Sequence, residues 1–198
     1  MSRAQGRRTG LAMWMRLAQR RASTHPTPTP PPLPPLPSAP APEAPTVLDH
    51  AMMARALELA RRAMEQGEVP VGAVVYETAT GRILGEGHNE REGARDPSAH
   101  AEHLAMVRAA QNLGDWRLQG CTLVVTLEPC AMCAGLIVNA RVERVVFGAM
   151  DPKAGACGSL MRLTEDRRLN HRVTPLAGVM GAECGAILRE FFGRLRRR

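Results

Sequence analysis

The stretch Thr122-Leu123-Val124-Val125-Thr126-Leu127, running directly into Glu128-Pro129-Cys130-Ala131-Met132-Cys133, decides how this chain folds. The first six residues lack the apolar–polar alternation of a half-exposed strand. They therefore read as a strand at the centre of a sheet covered on both faces. From Cys130 to Asn139 the pattern changes to that of a helix, so the segment is a strand followed at once by a helix.

The neighbouring segments extend this pattern. Upstream, Met53, Ala56, Leu57, Ala60, Ala63 and Met64 recur at helical spacing, with Arg55, Glu58, Arg62 and Glu65 on the remaining surface and Gly67 as a stop. Gly72-Ala73-Val74-Val75-Tyr76 and Arg82-Ile83-Leu84-Gly85-Glu86-Gly87 read as strands of a hairpin turned at Ala79-Thr80-Gly81. A loop over 91–97 leads to a helix from His100 through Ala110, ended by Gly114. Downstream, Arg144-Val145-Val146-Phe147-Gly148 reads as a strand, 173–177 as a weaker one and 182–196 as a closing helix. Helices and strands alternating around a buried central strand predict an α/β fold. Its form is a three-layer α/β/α sandwich on a mostly parallel sheet of about five strands.

Charge divides the chain into three parts that the net value of +7 conceals: residues 1–48 carry +5, residues 49–140 carry −4 and residues 141–198 carry +6. A basic second half ending Arg194, Arg196, Arg197, Arg198 suits a phosphate-rich partner, and also suits an ordinary solvated terminus. No run approaches the roughly 20 apolar residues of a membrane-spanning helix. The five cysteines do not have the spacing of a secreted disulfide framework, which points to a reducing compartment, the cytoplasm.

Residues 1–46 are expected to form a disordered Arg-rich and Pro-rich extension, ahead of one folded domain at 47–198. Eleven of the sixteen prolines fall between Thr24 and Thr46, a density that excludes helix and sheet ladder. Three origins suit the extension: a mis-assigned translation start, an RNA-attracting tail, or an organelle-targeting segment, since Leu11, Trp14, Met15 and Leu17 lie among arginines.

The chemistry lies in His100-Ala101-Glu102 together with Pro129-Cys130-Ala131-Met132-Cys133. Cysteines three apart at a helix start put both sulfurs on one face, and the helix dipole favours their thiolates. His100 has the obvious place as third ligand, which leaves the fourth position of a tetrahedral Zn2+ site to water, as in catalytic rather than structural zinc sites. Glu102 lies off the ideal face for a fourth ligand but within reach of the metal-bound water, so it reads as the proton shuttle. An isolated Cys-x-x-Cys pair is as often redox-active or half of a zinc ribbon. The His-x-Glu that precedes it makes the set the zinc-deaminase signature. His103 reads as a packing or surface histidine.

The blocks 96–102 and 126–135, the run from Val145 to Met161, the stretch Val69-Pro70-Val71-Gly72-Ala73-Val74 and the ending Glu190-Phe191-Phe192 closely resemble the TadA-type tRNA adenosine deaminases of the cytidine deaminase superfamily. The resemblance covers residues 49–195. It implies a cytidine deaminase-like fold with one Zn2+ per chain on His100, Cys130 and Cys133. It further implies attack of zinc-bound hydroxide on C6 of the wobble adenosine, with Glu102 as general acid and base. Asn89 would touch the target nucleotide, and Asp151 and Lys153 the anticodon backbone. The substrate would be a tRNA anticodon stem-loop, that of tRNA-Arg with an ACG anticodon, and the protein a homodimer. Two departures stand out, His103 in place of an apolar residue and Glu90 after Asn89, where an acid is unfavourable to RNA phosphates. The alternative is a zinc deaminase of a free base or nucleoside, guanine or cytidine. A zinc-stabilised RNA-binding module without activity is a third reading, which the presence of Glu102 opposes.

Overall fold

A computed structural model describes residues 44–197 of the chain. All but the last three residues of the expected extension at 1–46 lie outside the described residues, as does Arg198.

Helix α1 spans Val47–Glu65 and starts at a capping box. The Thr46 hydroxyl accepts the Asp49 N–H at 3.1 Å, and the Asp49 carboxylate accepts the Thr46 N–H at 2.7 Å. Strands β1 (Gly72–Glu77) and β2 (Ile83–His88) form the hairpin, with Gly81 at φ +74° in its turn. A short helix α2 (Arg91–Ala94) occupies part of the segment expected as loop. Helix α3 (Ala101–Leu113) ends at Gly114, whose left-handed φ of 72° terminates it without a Cβ penalty. Then follow β3 (Cys121–Leu127), α4 (Ala131–Asn139), β4 (Arg144–Ala149), the two-residue β5 (Leu176–Ala177) and α5 (Gly181–Leu195).

The five strands lie in the order β2-β1-β3-β4-β5. Four of them point the same way, and β1 alone is reversed. Because β1 sits between β2 and β3, the pairings divide evenly: β1 is antiparallel to both neighbours, whereas β3–β4 and β4–β5 are parallel. The expectation of a mostly parallel sheet thus holds for strand direction and is corrected for pairing. The physical reason is the tight 78–82 turn, which can only reverse the chain.

One apolar cluster fills each side of the sheet. Val75, Leu123, Val125 and Phe147 pack with α3 and α4 through Ala105, Met106 and Ile137. Val74, Tyr76, Val124 and Val146 pack with α1 and α5 through Met53, Ala56, Leu57 and Ile187. The central strand β3 is buried on both faces, as its uniform composition required.

Helix α3 rides directly on the β2 backbone. A Cβ at Gly85 would lie 2.2 Å from the Ala105 carbonyl oxygen, and one at Gly87 would lie 2.4 Å from that of Ala101. Alanines at 101, 105 and 109 form the helix face that meets these glycines, so neither side can be enlarged. This close approach sets the depth at which the start of α3 enters the molecule, and that start carries the candidate residues His100 and Glu102.

Candidate active site

Two helix N-termini converge beside the C-terminal end of β3. His100 is the N-cap of α3 and Cys130 the N-cap of α4, both in extended conformation. N-cap side chains commonly bond back to their own helix. Neither does so here. Both point at each other instead, with Cys130 Sγ 3.7 Å and Cys133 Sγ 3.8 Å from His100 Nδ1.

The three donor atoms lie within 4.8 Å of one another, with Cys133 fully buried. A tetrahedral Zn2+ with Zn–S of about 2.3 Å and Zn–N of about 2.0 Å would hold such atoms roughly 3.5–3.8 Å apart, so the donor set fits the ion in kind and in spacing. Among themselves the donors share protons. The Cys130 thiol is held down to about 3, first by hydrogen bonding with Cys133 and next by that with His100. Cys133 and His100 are both raised, chiefly by the same bonds to Cys130, with burial adding to the rise at Cys133. A metal ion would displace these protons, which makes binding pH-dependent.

Glu102, in the first turn of α3, is 4% exposed and lies outside the three-donor group, with its carboxyl against Cys133 Sγ. Burial pushes this carboxyl up to about 7, against the pull of its own backbone N–H and the His100 ring. A carboxyl in that range can both take and release a proton near neutral pH. His103 stays outside the site, its Nδ1 2.9 Å from the Ser98 carbonyl.

Asn89 is buried at the end of β2, and both ends of its amide are engaged. Its Nδ2 donates to the Val69 carbonyl at 3.1 Å, and its Oδ1 accepts the Ala101 N–H at 3.0 Å. The side chain thereby ties the 69–71 loop to the residue between His100 and Glu102. Glu90, beside it, has a counter-charge in Arg108 at 3.3 Å.

Asp151 follows β4. Its Oδ1 accepts the N–H groups of Lys153 at 2.9 Å and Ala154 at 3.2 Å, forming a turn that exposes the Lys153 side chain. Sequence reasoning overlooked Glu128. Its carboxylate is 2% exposed and accepts four hydrogen bonds from the loop over 151–159. The available signal was an acidic residue closing an otherwise apolar buried strand, since ionised groups are buried only when fully partnered.

A family model describing MafB19-like deaminases matches residues 48–196. The chain is similar to the tRNA-specific adenosine deaminase of Bacillus subtilis, 49% identical over 150 residues, which covers 76% of this chain and 92% of that protein. A solved tRNA deaminase, from a study of A-to-I editing at the wobble position of transfer RNA, superimposes with a TM-score of 0.67 and 40% identity over 70% of this chain and 99% of its own. The guanine deaminase from Nitrosomonas europaea has the same fold, with a TM-score of 0.65 at 24% identity over 80% of this chain and 98% of its own.

Proposed function

This chain belongs to the MafB19-like deaminase family and, within it, to the tRNA-specific adenosine deaminases, and from that premise we propose that it converts the wobble adenosine of a tRNA anticodon to inosine by zinc-dependent hydrolysis. The observation that carries the reading is the His100, Cys130 and Cys133 triad with the buried Glu102 carboxyl at its side.

His100, Cys130 and Cys133 would hold one Zn2+ per chain, and the ion would lower the pKa of water enough to supply hydroxide near neutral pH. Glu102 takes a proton from the attacking water and returns it to the departing amine, so that adenosine and water yield inosine and ammonia. Its burial keeps bulk water from exchanging that proton. A splayed-out anticodon base reaches such a recessed site at small unstacking cost. Asn89 is the candidate contact to the target nucleotide, while Asp151 and Lys153 are the candidates for the flanking backbone. Exposed Arg196 and Arg197 add positive charge beyond α5.

The substrate we assign is the anticodon stem-loop of tRNA-Arg with an ACG anticodon, and the state a homodimer in the cytoplasm. Among the described residues no helix is long and apolar enough to cross a membrane. The free-base alternative is the weaker reading. The relative sharing 49% of its residues is a tRNA-specific deaminase, while the guanine deaminase shares 24% and speaks for the fold alone. Purified protein should form inosine in an ACG stem-loop, and leave free adenosine, cytidine and guanine unchanged under the same conditions. Turnover of a free base with none on the RNA would overturn the assignment.

A further inference from the structure

Glu128 stands at the junction of β3 and α4, two residues before Cys130, and its carboxylate has no contact that the chemistry above uses. All four of its hydrogen-bond partners belong to one loop. Oε1 accepts the N–H groups of Cys157 at 3.0 Å and Ser159 at 2.9 Å. Oε2 accepts the Asp151 N–H at 2.9 Å and the Ser159 hydroxyl. Every partner is a donor, so the loop is built around an acceptor with two oxygens.

The same loop is joined to the chain just after Glu128. The Ala156 N–H donates to the Pro129 carbonyl at 2.8 Å and Gly155 bridges Cys130, while the Glu128 N–H is held by the carbonyl of Ala149, the last residue of β4, at 2.8 Å. At Gly155 the loop comes so close that a Cβ would stand 2.3 Å from the carboxyl group, which only glycine permits. The segment expected to meet RNA is thus wrapped around a charge rooted in the strand that delivers the metal-binding cysteines.

We propose that Glu128 is a positioning residue that holds the 151–159 loop in its RNA-receiving shape before substrate arrives. The proposal rests on the tRNA reading given above. A preformed loop spares binding the cost of ordering it, so loss of the clamp belongs in substrate affinity. None of the four bonds to the Glu128 carboxylate involves Glu102, His100, Cys130 or Cys133, so turnover at saturation should persist.

Glu128→Gln is the direct test, because an amide of equal size turns an acceptor into a donor facing donors. In the zinc-loaded protein, KM for the anticodon stem-loop should rise by about tenfold or more, as one buried unmet bond implies, with kcat within about twofold of wild type. Amide hydrogen exchange at 151–159 should quicken without RNA present, and zinc content should stay at the wild-type level. Gly155→Ala, which pushes on the carboxylate from the loop side, should quicken exchange in the same segment. Should Glu128→Gln fail to fold, Ser159→Ala takes its place, with KM raised about threefold and faster exchange in the same segment. Unchanged KM and unchanged exchange in the folded variants would overturn the proposal, as would a loss of kcat at constant KM. If wild-type protein does not act on the stem-loop, the substrate reading fails, and hydrogen exchange alone still decides whether Glu128 holds the loop.

Discussion

Cys130 Sγ lies 3.7 Å from His100 Nδ1 although thirty residues separate them, and each residue is the N-cap of its own helix. The two helices start at the same place because β2 and β3 point the same way, and each delivers the chain to the same end of the sheet. Two N-termini also bring two positive dipole ends, which favour the thiolate form of the cysteines. The candidate metal site is therefore a property of the topology as much as of its three donors.

Purified protein should contain about one zinc per chain by elemental analysis, and Cys130→Ala or Cys133→Ala should lose it. Chelation should lower the melting temperature of wild type and leave those variants unaffected. Zinc at full occupancy in the double variant would show that the ion sits elsewhere.

Glu102 is expected to move protons without holding the ion, since it stands outside the three-donor group. Glu102→Gln should keep zinc and RNA affinity while the rate falls by at least about 100-fold, the low end for general acid and base catalysis. Single-turnover kinetics at saturating stem-loop RNA would read this directly. A near wild-type rate would assign the proton transfer to another group.

Asp49 is fully buried and joins the start of α1 to β4 through Arg144. Burial alone would raise its carboxyl, but the Arg144 guanidinium and the Thr46 N–H and hydroxyl overcome this and bring it to about 2. A carboxylate depressed in the folded state adds stability above its ordinary value near 3.8, and that stability is lost as the pH falls through about 2. Asp49→Asn should cost roughly 3 kcal/mol at pH 7, because Arg144 loses a buried partner, and much less at pH 2. Urea denaturation at the two pH values measures the difference, and an equal loss at both would remove the ionic explanation.

Thr46 caps α1, so the helix begins to be held one residue before its first turn. A chain starting at Thr46 should melt like the full-length protein, while one starting at Val47 should lose about 1 kcal/mol, the worth of an N-cap. Identical melting of both truncations would mean that the cap contributes nothing measurable.

The basic end of the chain tests RNA recognition. Arg194 is paired with Glu190 on α5, and Arg196 and Arg197 are exposed. Replacing Arg194, Arg196, Arg197 and Arg198 by Ala should flatten the log–log salt dependence of RNA affinity by roughly 2–3 units, if about three phosphates are contacted. Since none of these arginines supplies a donor to the candidate metal group, the defect should appear in KM. A wild-type salt slope would leave the tail as a solvated terminus.

The sequence by itself determined most of the elements and the residues that meet at the candidate site. The unbroken apolar run of β3, the helical spacing of α1 and the glycine stops were local signals. His100, Glu102, Cys130 and Cys133 were legible because metal ligation and proton transfer demand particular side chains at particular spacings. Tertiary structure alone decided the antiparallel pairing of β1 with β3, the seating of α3 on Gly85 and Gly87, the engagement of Asn89 with Ala101, and the enclosure of Glu128 by the 151–159 loop. Each of these depends on groups far apart in the chain meeting at a backbone donor or a missing Cβ. Backbone N–H groups are the same at every residue, so their partners leave no mark in the sequence until folding brings them within hydrogen-bond reach.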